Sequence, residues 1–87
     1  MTTTVSTALR VLFFGRVADL IGREVLIEMP AEGCTLADLR RRLADAPGGE
    51  ILLKPGVRAS IDKQVVAEDA WVRPGAEVAF FSVFSGG

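Results

Sequence analysis

The sequence predicts an α+β domain, a mixed sheet with one main helix packed across one face. The opening run Ala8-Leu9-Arg10-Val11-Leu12-Phe13-Phe14 and the closing run Glu77-Val78-Ala79-Phe80-Phe81 are both apolar-rich. Strands largely apolar on both faces belong in the middle of a sheet, covered on either side. Between them lies one amphipathic helical segment with a start signal, together with several short strand-like runs.

Gly15 breaks the first strand. Val17, Leu20 and Ile21 then recur at i, i+3, i+4 and predict a brief helix stopped by Gly22. In Arg23-Glu24-Val25-Leu26-Ile27-Glu28-Met29, the residues Val25, Ile27 and Met29 share one side, and Pro30 ends this half-buried strand. Thr35 followed three residues later by Asp38 approximates a capping box and opens the main helix. Leu36, Leu39 and Leu43 form its buried stripe, and Arg40, Arg41 and Arg42 are expected to fan over the solvated face before Pro47-Gly48-Gly49 ends it.

Ile51-Leu52-Leu53 is a short apolar segment whose type the pattern does not settle. Val57-Arg58-Ala59-Ser60-Ile61 and Gln64-Val65-Val66 flank Asp62-Lys63 as a hairpin, with Trp71 expected to pack across it. In Arg73-Pro74-Gly75-Ala76, proline and glycine occupy the second and third positions of a type II turn. The resulting order favours a β-grasp, the ubiquitin-like fold, and α+β sandwiches of other strand orders satisfy it too.

The 87 residues make a single domain over 1–87, with 82–87 expected as a flexible C-terminal tail. Ten basic residues against eleven acidic ones leave a net charge of −1, so no basic field attracts a phosphate backbone and nucleic acid is not expected as a partner. The apolar runs are too short to span a bilayer, and no membrane partner is expected. Cys34 is the only cysteine and the start does not read as a signal peptide, so the expected compartment is the cytoplasm. The chain has no histidine, which removes the usual general base and the commonest metal ligand. No metal or bound cofactor is expected. Cys34 could act as a nucleophile or in sulfur relay, but without a histidine or cationic helper it reads as a small residue ahead of the helix cap.

The functional signal is the end, Ser85-Gly86-Gly87. Glycine lacks Cβ, so a bare backbone fits a channel too narrow for other residues. The α-carboxylate of Gly87 is then the group that can reach deep into another protein's active site, with Ser85 and Gly86 entering the channel. An inert terminus or a cloning remnant would look the same. Phe81 points away from the core face shared by Val78 and Phe80, and Phe84 follows where the fold runs out of cover. Large apolar side chains beside a mobile end mark a partner surface, and both are expected to bind a partner.

The chain resembles the sulfur-carrier small subunits of molybdopterin synthase, MoaD-like proteins of the ubiquitin-like β-grasp family. The resemblance rests on Val11-Leu12-Phe13-Phe14-Gly15-Arg16, on Thr35-Leu36-Ala37-Asp38-Leu39, and on Pro74-Gly75-Ala76-Glu77-Val78-Ala79-Phe80-Phe81 leading to Gly86-Gly87. It implies a carrier that is not a stand-alone enzyme. An ATP-dependent adenylating and sulfurating enzyme would activate the Gly87 carboxylate and convert it to a thiocarboxylate. The tail would then enter the large subunit of molybdopterin synthase, within a heterotetramer, and donate sulfur to a pterin precursor to make the dithiolene of the molybdenum cofactor. Catalytic side chains would come from the large subunit. In the tail the chain departs from the family: Ser82 and Val83 stand where two prolines are usual, and Phe84 replaces a smaller aliphatic residue. A carrier feeding thiamine or cysteine biosynthesis, a ubiquitin-like protein modifier, and a plain interaction module are the alternatives.

Overall fold

The computed structural model describes residues 6–83. Its main sheet has five strands: β1 (Ser6–Phe13), β2 (Glu24–Pro30), β4 (Val57–Ile61), β5 (Gln64–Val66) and β7 (Val78–Ser82). Their spatial order is β2-β1-β7-β4-β5. The first and last strands are adjacent and parallel, and each pairs antiparallel with its outer neighbour. A second, two-stranded sheet joins β3 (Cys34–Thr35) to β6 (Trp71–Val72). This is the β-grasp, ubiquitin-like arrangement, with the central pair supplied by the two apolar runs.

The helix α2 (Leu36–Ala44) begins as its sequence dictates. The Thr35 hydroxyl accepts a hydrogen bond from the Asp38 backbone N–H at 3.1 Å. Two further amides at this helix start find partners, Leu36 N–H donating to the Ala70 carbonyl and Ala37 N–H to that of Glu68. Leu36, Leu39 and Leu43 are buried against Leu9, Val11, Phe13 and Phe80 in one core. Phe13 and Phe80 stack with ring centroids 6.0 Å apart. The short helix α1 (Gly15–Ile21) starts two residues before the apolar periodicity does, and Leu20 stays exposed while Val17 is buried. Ile51-Leu52-Leu53 belongs to a 3₁₀ turn, Gly49–Leu53, that buries Leu52. Among the described residues no helix is long and apolar enough to cross a membrane.

The turn chemistry follows the sequence. Asp62 and Lys63 both have positive φ, 51° and 72°, as a two-residue hairpin requires. Gly75 has φ 85° and the Ala76 N–H donates to the Arg73 carbonyl, as in a type II turn.

Four expectations are corrected. The first strand is covered on one face only: Leu9, Val11 and Phe13 are buried, whereas Ala8, Arg10 and Phe14 are exposed. With two helices and a 3₁₀ turn, the chain provides cover for one side of the sheet. Arg40 leaves the arginine fan and lies buried, as described below. Trp71 does not pack across the hairpin; it pairs with Thr35 in the small sheet and its Nε1–H donates to the Glu32 carbonyl at 3.0 Å. The strand β7 runs on through Ser82, and Val83 N–H donates to the Gly56 carbonyl at 2.9 Å, so the tail boundary expected at 82 falls inside ordered pairing.

Candidate functional site: the end of the central strand

Because β1 and β7 are parallel, their C-terminal ends meet at one end of the sheet. There the Phe14 N–H donates to the Phe80 carbonyl at 3.0 Å. On the opposite side of β7, Val57 pairs with Ser82, and Val83 is bonded to Gly56. The chain therefore passes into residues 84–87 between the Phe14-Gly15 corner and the Pro55-Gly56 corner. Phe14 and Val83 are exposed there by 53% and 49%, an apolar rim beside the exit. Pairing on the β1 side ends at Phe80, and pairing on the β4 side continues through Ser82 to Val83.

Of the expected site residues, only Phe81 lies among those described. It is half-buried on the open face of the sheet, opposite Arg58 of β4, while Phe80 on the other face is fully buried. Phe84, Ser85, Gly86 and Gly87 lie outside the described residues. The structure thus places Phe81 on the open face, one residue before the end of β7.

Among the described residues no three His, Cys, Asp or Glu side chains are grouped to hold a metal ion. Cys34 is buried in β3. Burial pushes its thiol pKa up; the nearby Arg42 charge lowers it and Asp38 raises it, with burial the largest influence. A thiol held protonated is a poor nucleophile, which fits the packing role read for it.

One buried charge was missed by sequence reasoning. Arg40 Nε and Nη2 donate to the two carboxylate oxygens of Glu68 at 3.0 and 2.6 Å, a bidentate pair. Its Nη1 donates to the carbonyls of Leu52 and Val57, and its guanidinium carbon lies 5.2 Å from the Phe80 ring centroid. One side chain therefore ties α2 to the 3₁₀ turn, to the start of β4 and to the loop after β5. The overlooked signal is spacing: Arg40 sits four residues after Leu36 and three before Leu43, on the buried stripe. Arg41 and Arg42 are exposed as expected.

Comparison with known proteins agrees with this geometry. No curated protein sequence matches the chain. Solved structures do match. The HVO 2177 protein of Haloferax volcanii aligns with TM-score 0.77 at 19% identity, over 100% of this chain and 92% of that one. SAMP1 of Haloferax volcanii, small archaeal modifier protein 1, aligns with TM-score 0.71 at 20% identity, over 92% of this chain and 99% of that one. A candidate molybdopterin converting factor, subunit 1, from Pyrococcus furiosus aligns with TM-score 0.72 at 23% identity, over 87% and 97%. At these identities the likeness is one of fold. The ThiS family model, however, matches residues 11–87, from the middle of β1 through both central strands to the last glycine, and on that match the chain belongs to the ThiS family of ubiquitin-like sulfur-carrier domains.

Proposed function

We propose that this protein is the sulfur-donor subunit of a molybdopterin synthase, with the Gly87 carboxylate as the group that carries sulfur. The observation that supports this most is the pairing of β7, on both sides as far as Phe80 and on the β4 side up to Ser82, five residues before Gly87, with exposed apolar side chains at the exit. A rigid central strand followed by a short glycine-ended segment suits delivery of a terminal carboxylate into a partner. A carboxylate is a poor acyl electrophile. Attack of its oxygen on the α-phosphorus of ATP releases pyrophosphate and leaves an acyl adenylate, and a sulfide-level sulfur nucleophile then displaces AMP to give the thiocarboxylate.

In this reading the activating enzyme supplies ATP chemistry and sulfur, and the large subunit supplies the side chains that act on the pterin. The cytoplasm is the proposed compartment. The test is reconstitution of the thiocarboxylated protein with a molybdopterin synthase large subunit and the pterin precursor. Dithiolene formation that stops when Gly87 is deleted supports the proposal; a loaded carrier that yields none assigns it to another pathway.

A second reading is favoured by the fold shared with SAMP1, while the Ser82-Val83 departure keeps a carrier for thiamine or cysteine biosynthesis open. In the second reading the same activated carboxylate is passed to lysines of target proteins. Covalent conjugates that require Gly87 and ATP would distinguish it, as would transfer to thiamine or cysteine precursors for those pathways.

A further inference from the structure

The strand β2 forms one edge of the main sheet. The Phe13 N–H donates to the Arg23 carbonyl, and the β1–β2 register pairs Val11 with Val25 and Leu9 with Ile27. In an antiparallel ladder alternate residues face the partner, so the backbone groups of Arg23, Val25, Ile27 and Met29 point to β1. Those of Glu24, Leu26 and Glu28 point outward. Among the described residues the only bond to these outward groups is a long one, from Arg42 Nη1 to the Glu28 carbonyl at 3.4 Å.

The side chains of the same three residues lie on the open face. Leu26 is 66% exposed, more than any other large apolar side chain described, and it stands between two glutamates. Glu24 is bridged by Arg10 at 2.8 Å, with both side chains largely in water, and Glu28 forms no ion pair among the described residues. Such surface bridges exchange readily for a new partner.

This pattern disfavours self-pairing. An antiparallel second copy centred on Leu26 would set each Glu24 against the partner copy's Glu28, like charge against like. A strand of the opposite pattern meets no such penalty.

From the geometry we infer that the β2 edge is a docking site for an extended segment of a partner protein, one whose alternate side chains are basic, apolar and basic. The segment adds as a sixth strand: its backbone pairs with Glu24, Leu26 and Glu28, its apolar side chain covers Leu26, and its cations face the two carboxylates. Because this edge lies across β1 from β7, the site is independent of the carboxylate chemistry proposed above.

The probe is an acetylated, amidated heptapeptide of threonines with lysine, valine and lysine at the second, fourth and sixth positions. A second peptide carries glutamate in place of each lysine. Amide exchange and chemical shifts of the full chain are followed by NMR. The lysine peptide should slow exchange of the Glu24, Leu26 and Glu28 amides several-fold, leave those of Val25 and Ile27 unchanged, and bind several-fold more tightly than the glutamate peptide.

The double variant E24K/E28K should invert that preference. Leu26→Pro removes an outward N–H without touching the β1 ladder, and should abolish binding while amide shifts in the other strands stay native. Equal binding of the two peptides, shifts confined to another surface, or self-association through β2 at working concentration would each overturn the proposal.

Discussion

Replacing Arg40 by alanine should destabilise this small domain far more than replacing its neighbour Arg41. Two buried carbonyls, of Leu52 and Val57, lose their guanidinium donor. An orphaned buried polar group costs about 1–3 kcal/mol, and the lower end applies here because truncation opens a path for water. Loss of the contact over Phe80 adds about 0.5–1 kcal/mol. The Glu68 pair adds little, since the Glu68 side chain is 52% exposed and solvent screens it. The sum is about 3 kcal/mol, which in a domain of this size lowers Tm by roughly 12–24 °C. Arg41 makes a 3.3 Å pair with Asp38 between two exposed side chains, and its removal should stay within about 0.5 kcal/mol. Thermal and urea unfolding followed by circular dichroism reads both. Equal, small shifts for the two variants would refute the reasoning that the buried arginine holds α2 to the 3₁₀ turn and β4.

Gly33→Ala should cost about 1–3 kcal/mol, since φ is +97° and an added Cβ would lie 2.6 Å from Trp71 Nε1 and closer still to the Val72 carbonyl; displacement of the indole should shift the emission of this single tryptophan, and an unchanged spectrum and Tm would contradict it. Cys34 in the native chain should react with a disulfide reagent far more slowly than the same thiol in urea, with its reaction profile moved to higher pH because burial raises its pKa; Cys34→Ala should still load sulfur at Gly87, and failure to do so would restore a relay role. Phe81→Ala should weaken association with the large subunit by about tenfold, with a stability loss in the free domain of about 1 kcal/mol for a half-buried ring. Calorimetry on complex and free domain separates the two, and intact affinity with a large loss of stability would make Phe81 a core residue.

The sheet was readable because its signals are local. The β1 and β7 runs, the Thr35–Asp38 cap and the Asp62-Lys63 and Pro74-Gly75 turns each state their conformation within a few residues. Long-range partners were not stated in that way. Nothing in Arg40-Arg41-Arg42 tells which cation meets Glu68, 28 residues beyond Arg40, unless the helical face is counted. Trp71 was misplaced because β3 and β6 are two residues each, too short for a periodicity. Both faces of β1 read as covered because Ala8 and Leu12 are apolar, although the helices pack on one side only. At the candidate site, Phe81 was legible from strand alternation, and the exit between the Phe14 and Gly56 corners depended on the parallel β1–β7 register.

The central claim is tested most directly by the intact mass of the protein after incubation with ATP, an adenylating and sulfurating enzyme and a sulfur donor. The account requires exchange of one oxygen for one sulfur, mapped by fragmentation to Gly87, and no exchange when Gly87 is deleted or ATP is withheld. An unchanged mass with an enzyme that loads another ThiS-family carrier in the same assay, or sulfur found on Cys34 instead, would contradict it.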